Sequence, residues 1–242
     1  MLKGVGLSKS YGTNKIIDNV DIELAPGEIS VIIGPSGSGK TTLLKLLSLL
    51  ELPDAGVVSV DDVNYQFPIK DPRMIKPPWP RLTVVFQQLF LWPHLTLLQN
   101  MTLPLSARGA EPNKAKLDEL IGLFQMEKFV HRFPNEASMG QRQRAALARA
   151  LLLEPEYILL DEVTSSLDVE QVAVILNHLK DLAKKGIGIL TVTHLLNFAQ
   201  EAADRIIFVE AGRVVESGGK EVLTSPKHER IRSFLSLIES AT

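Results

Sequence analysis

Polar and apolar residues alternate strictly along "DNVDIEL", with Val20, Ile22 and Leu24 on one face, which predicts a half-buried strand. A turn follows at "PGE". Then "ISVII" runs apolar and mostly β-branched without alternation, the pattern of a strand covered on both faces. Beyond Lys40 the period changes, and Leu43, Leu44, Leu47 and Leu50 have helical spacing. "GVVSV" and "TVVF" predict two further strands. Between them, residues 68–80 hold Pro68, Pro72, Pro77, Pro78 and Pro80, so most of that connection is expected to be irregular.

From about Leu89 to Ala150 the strand signals fade. "NKAKLDELIGLFQ" and "MGQRQRAALARALLL" have helical spacing and few β-branched residues, which predicts a helical insertion at about 88–155. Strand patterns return in "YILLD", "GILTVTH" and "RIIFVE". Between the first two, "VEQVAVILNHLKDLAKKG" predicts a helix that stops at Gly186 with lysines in its last turn. Strands alternating with helices predict an α/β chain with a parallel sheet covered on both faces.

Composition narrows the picture modestly. The 242 residues suit one domain, 1–242, with the insertion inside it. A net charge of −2 supplies no global field to recruit nucleic acid, so no nucleic-acid partner is expected. Cysteine is absent, which removes disulfides and thiolate metal sites from consideration. The N-terminal residues lack the apolar core of a signal peptide, and "LLKLLSLLEL" is too short to span a bilayer. Any membrane role is expected to be peripheral.

Chemistry enters at "GPSGSGKTT". Gly34, Pro35, Ser36, Gly37, Ser38, Gly39, Lys40 and Thr41 fit G-x-x-x-x-G-K-[ST], with Thr42 following, between a buried strand and a helix. The glycines let consecutive backbone N–H groups turn inward, and those donors together with the helix N-terminus favour phosphate charge. Lys40 is expected to reach the β- and γ-phosphates, and the Thr41 hydroxyl to ligate Mg²⁺. A mere glycine-rich turn would not explain a lysine–threonine pair at this offset.

A second group lies about 120 residues on. Asp161 and Glu162 end the strand "YILLD", at the edge of a parallel sheet where ligands gather. Asp161 is placed to hold Mg²⁺ through water, and Glu162 to polarise an attacking water as general base. An Asp-Glu pair ending a strand is weak evidence alone; the phosphate loop before it gives it weight. His194 closes "GILTVTH" and can face the γ-phosphate, although a lone histidine is more often structural.

With "NEASMGQRQRAALARAL" placed just before "YILLDE", the chain resembles the ATP-binding subunits of ABC transporters over nearly its whole length. The segment is similar to that family's signature, usually written LSGGQ and followed by a basic helix. The resemblance implies a RecA-like P-loop NTPase fold. Its core sheet would be mostly parallel, with an N-terminal antiparallel β portion and an inserted helical subdomain. It implies that Tyr11 stacks on adenine, that Gln87 (or its neighbour Gln88) touches Mg²⁺ and water, and that His194 is the switch histidine. It further implies that Ser138, Gly140 and Gln141 contact the ATP of an opposite subunit and that Asp168 crosses the dimer interface. Ala137, Met139 and Val163 depart from the family pattern, where leucine, glycine and proline are usual.

"LWPHLTLLQNMTLP" and "SPKHERIRSFLSLI" resemble the polar amino acid uptake branch. The implied partners are a second copy of the chain, head to tail, and transmembrane permease subunits at the cytoplasmic face of the membrane. An extracytoplasmic substrate-binding protein would act indirectly. Leu89, Phe90, Leu91, Trp92 and Leu95, right after Gln87, are expected either to fill the core of the insertion or to present an apolar patch to the permease, with Phe90 or Trp92 exposed. The competing readings are an ATPase of a lipid or other export or extraction system, a soluble ABC ATPase acting without transport, and a P-loop kinase. The kinase would need an acceptor pocket and no signature helix.

Overall fold

The computed structural model describes residues 1–164 and 169–241, the side chains of 74, 169–171 and 239–241 excepted. Two sheets carry the chain. The first holds β1 (Leu2–Tyr11), β2 (Asn14–Leu24), β4 (Ala55–Val60) and β5 (Val63–Phe67) in the order β2-β1-β4-β5, every pair antiparallel. The second holds β3 (Ile29–Ile33), β6 (Leu82–Val85), β7 (Tyr157–Asp161), β8 (Gly188–Val192), β9 (Arg205–Glu210) and β10 (Arg213–Gly218) in the order β10-β9-β3-β8-β7-β6. Its strands are parallel except β10, which folds back on β9 through the turn at Ala211 and Gly212.

The alternation of side chains along β3 and β7 divides the interior in two. Ile32, Tyr157 and Leu159 point into a core shared with the antiparallel sheet and with α1 (Lys40–Leu47). Val31, Ile33, Ile158 and Leu160 point the other way, into a core shared with the remaining helices. Both faces of these strands are therefore covered, which is why their sequences run apolar without alternation.

Between β6 and β7 the chain forms α2 (Leu97–Ser106), α3 (Lys114–Leu123) and α4 (Met139–Leu151), and no strand lies there among the described residues. Two of these helices start at capping boxes, Thr96 with Gln99 and Ser138 with Gln141, and Asn113 caps the third. After β7 come α5 (Val169–Lys184), α6 (Leu196–Ala202), α7 (Glu221–Thr224) and α8 (Glu229–Ala241).

Two expectations need correction, and three strands add to the pattern. Leu50 is not part of the first helix: α1 ends at Leu47, Leu49 turns the backbone to φ 57°, and Leu50 is exposed while Leu46 takes the core position. His194 lies beyond β8, which ends at Val192. The strands β1, β5 and β10 were not expected from the pattern. β5 and β10 are hairpin partners with mainly half-exposed or exposed residues, so neither carries the apolar run of a covered strand.

Candidate active site

Parallel strands deliver their carboxyl ends to one edge of the sheet. There β3 runs into Gly34, β7 into Asp161 and Glu162, β8 into Thr193 and His194, and β6 into Phe86 and Gln87. A cavity of about 520 Å³ opens at this edge. Tyr11, Ser36, Gly37, Gly39, Lys40, Thr41, Thr42, Gln87 and Glu162 line it, so nine residues named from sequence meet at one place.

The loop cannot be built from other residues at its first position. Gly34 has φ 146°, and a Cβ there would sit 2.0 Å from the backbone oxygen of Val209 on β9. At the other end Gly39, with φ 100°, hands the chain to α1 without a side-chain cap. No acidic residue occupies the first turn of that helix. Its leading N–H groups, which have no intrahelical partner, therefore stay available to an external anion. Lys40 donates to the carbonyl oxygens of Gly34 and Pro35 at 2.8 Å each, which fixes its ammonium over the loop. Ser38 sits beneath, its hydroxyl buried without a hydrogen-bond partner.

Charge is concentrated here at some cost. Burial pushes the Lys40 ammonium below the usual lysine range, against the pull of Glu162 and Asp161. Burial likewise pushes the Asp161 carboxyl up, a hydrogen bond with the Thr41 side chain works against it, and the neighbouring Glu162 charge adds to it. The Glu162 amide donates to the Val192 oxygen at 3.0 Å, which ties β7 to β8 just where each strand ends. Its backbone is left-handed at φ 52°, uncommon for a non-glycine residue and a feature that gathers at functional sites. Nε2 of His194 lies 2.7 Å from Oε1 of Glu162.

Tyr11 reaches the cavity from the end of β1. Its ring is half exposed, its hydroxyl donates to Glu51, and that bond pushes the phenol up from its ordinary value. Glu51 also pairs with Lys45 at 2.9 Å. Neither Glu51 nor Ile16, which forms part of the wall, was anticipated. Glu51 stands 40 residues from Tyr11, and no local pattern links them.

Ser138, Gly140 and Gln141 do not line the cavity. They form the start of α4, where Ser138 Oγ accepts from the Gln141 amide at 3.3 Å and Gln141 Oε1 accepts from the Ser138 amide at 3.0 Å. Ser138 and Met139 are exposed there, whereas Gly140 and Ala137 are buried. Val163, after the carboxylate pair, belongs to the core. Asp168 lies outside the described residues. Among the described residues no three His, Asp or Glu side chains are grouped to hold a metal. The Thr41 hydroxyl bonded to the buried Asp161 carboxylate is a donor set that fits a cation carried on phosphate oxygens.

The ABC transporter family matches residues 17–165. The chain is 40% identical to the glutamine transport ATP-binding protein GlnQ of Escherichia coli (strain K12) over 97% of its own length and 98% of that protein. It is 39% identical to the arginine transport ATP-binding protein ArtM of Bacillus subtilis (strain 168), over 98% of this chain and 100% of the relative. The L-cystine import ATP-binding protein TcyC of the same organism is also 39% identical, over 98% of each. Among solved structures, the ATP-binding cassette MJ0796, in a dimeric post-hydrolysis state bound to ADP and Pi, superposes with a TM-score of 0.83 at 34% identity. The match covers 91% of this chain and 99% of that one.

Proposed function

The chain belongs to the ABC transporter family, and from that premise we propose that it is the ATP-hydrolysing subunit of a membrane importer for polar amino acids. The observation that carries this reading is the meeting of Lys40, Thr41, Gln87 and Glu162 around one cavity, with Asp161 buried beside Thr41 and His194 on Glu162.

The residues divide the work. The amides at the start of α1 and the Lys40 ammonium bind the phosphate chain, and Tyr11 offers an aromatic face to the base. Thr41, Asp161 and Gln87 would hold Mg²⁺, which when bound polarises the phosphate oxygens and neutralises charge in the transition state. Glu162 takes the proton of the attacking water, and His194, bonded to it, keeps the carboxylate aimed. Moving Lys40 from the loop carbonyls onto phosphate exchanges two neutral acceptors for a charged one.

One chain supplies half of each site. Ser138 stands exposed at the start of α4, and Ser138, Gly140 and Gln141 all lie off the chain's own cavity, which supports a head-to-tail dimer in which each copy completes the other. Among the described residues no helix is long and apolar enough to cross a membrane. The transport names of the relatives support a permease as the proposed anchor at the cytoplasmic face. The exposed Phe90 and Trp92, just beyond Gln87, offer it an apolar patch. An extracytoplasmic binding protein would act through that permease. Glutamine, arginine and cystine, named for the relatives, share the α-amino acid group and differ in side chain, which supports the substrate class and not one member of it.

The test is hydrolysis of Mg-ATP by the purified chain and by Glu162→Gln. The variant is expected to lose about 10²–10⁴ in kcat while still binding ATP. Unchanged turnover would remove Glu162 as the base. Uptake of labelled glutamine, arginine or cystine after reconstitution with a permease checks the substrate class, and ATP-driven lipid movement in its place would overturn it.

A further inference from the structure

Arg149 lies near the end of α4, eleven residues beyond Ser138, or about 16 Å along the helix axis. Its guanidinium does not turn to solvent. Nη2 donates to the Leu89 oxygen at 2.7 Å and Nη1 to the Phe90 oxygen at 2.9 Å. The fork thus grips two successive carbonyls of an irregular segment that begins at Gln87. Burial lowers the pKa of this guanidinium from the usual arginine value, so desolvation works against the charge it retains at neutral pH.

The gripped segment is held in an uncommon shape. Phe90 has φ 46°, a left-handed conformation that bulky side chains rarely adopt without support from their surroundings. Its ring meets Phe86 edge to face at 6.0 Å, with Gln87 in the intervening turn. Leu89 points inward and Phe90 is exposed. The far end is pinned separately. The fully buried Asn100 of α2 accepts from the Trp92 amide at 2.7 Å and donates to the Trp92 oxygen at 3.1 Å. The segment from Gln87 to Trp92 is therefore a strap fixed to α2 at one end and to α4 near its middle.

We propose that Arg149 is a positioning residue for hydrolysis: by clasping the carbonyls of Leu89 and Phe90, it keeps Gln87 at the nucleotide cavity and makes the strap move as one body with the helix that presents Ser138. The inference rests on the reading of Gln87 and of the cavity given under the proposed function. A planar fork is needed for two neighbouring carbonyls, and a lysine ammonium, a single point of charge on a flexible stem, cannot fix both in one geometry. When the clasp is released, Phe90 relaxes out of its left-handed conformation, and Gln87, three residues away, loses its fixed approach to the cavity.

The experiment uses the full chain with Arg149→Met and Arg149→Lys. Steady-state hydrolysis of Mg-ATP and amide hydrogen exchange across 87–92 are measured on each. The Met variant is expected to lose about tenfold or more in kcat, and the Lys variant less, with KM for ATP within about twofold of the unsubstituted chain. Exchange across 87–90 rises in both, while the amides of α4 keep their protection. A folded Lys variant with unchanged kcat, or a loss confined to KM, overturns the role. If Arg149→Met does not fold, the Lys variant decides on the same two readouts. Failure of the unsubstituted chain to hydrolyse ATP would count against the proposed function; exchange at 87–90 still judges the clasp, and unchanged exchange in the Lys variant overturns it.

Discussion

Asp161 is only 5% exposed, and burial raises its carboxyl above the ordinary aspartate range. An acid whose folded pKa exceeds its unfolded value binds more protons in the folded chain between the two values. Stability therefore falls as pH rises through that window, and the cost persists at all higher pH. Asp161→Asn removes this cost. The nucleotide-free variant is expected to melt higher than the unsubstituted chain at pH 7, by roughly 2–4 °C for each kcal/mol recovered. The difference should vanish as the pH drops below the ordinary aspartate value, and Mg-ATP hydrolysis should be lost. Thermal melts at both pH values, with a turnover assay, check it. An equal or lower melting temperature at pH 7 would mean that the Thr41 bond and the Lys40 charge outweigh desolvation. A net desolvation cost at Asp161 is the kind found where function is kept at the expense of stability.

At the scale of elements, the strap after Gln87 shows how one short segment can serve two surfaces. Leu89 is 9% exposed and fills the core, whereas Phe90 and Trp92 are 64% and 53% exposed. Two large apolar side chains held open by Arg149 and Asn100 are better explained by a partner than by chance exposure. Trp92→Glu removes no core contact, so basal ATPase activity of the free subunit is expected within about twofold of the unsubstituted chain. Assembly with the permease, and transport, should be lost. Co-purification and uptake measurements test this, and normal assembly by the variant would mean that the permease sits elsewhere.

At the scale of the whole molecule, the cavity and the signature helix belong to one chain but not to one site. The proposed dimer brings the exposed Ser138 of each copy to the other's phosphates. Dimerisation should then depend on nucleotide and grow when hydrolysis is blocked. Sedimentation velocity of Glu162→Gln is expected to show dimer with Mg-ATP and monomer without it. Ser138→Arg in the same background should restore the monomer while leaving ATP affinity within about threefold, because Ser138 does not line its own chain's cavity. A persistent monomer in Glu162→Gln with Mg-ATP would remove the shared-site arrangement.

What could be read from the sequence was whatever a local rule dictates. The phosphate loop is legible because glycine spacing and a lysine–threonine pair report a backbone path directly, and the covered strands are legible because both faces must be apolar. Asp161, Glu162 and His194 were singled out from their places at strand ends, and the resemblance supplied Tyr11 and Gln87. Pairing decided the rest. The weakly patterned β5 and β10 exist because β4 and β9 offer them backbone partners, and a hairpin needs no apolar run of its own. Leu50 left the helix because the turn at Leu49 ends it, although leucine spacing continued. The grip of Arg149 on Leu89 and Phe90 spans about 60 residues of chain, and that of Tyr11 on Glu51 spans 40. Hydrogen bonds of that reach leave no periodic trace in sequence, because their partners become neighbours only once the sheets and helices have packed.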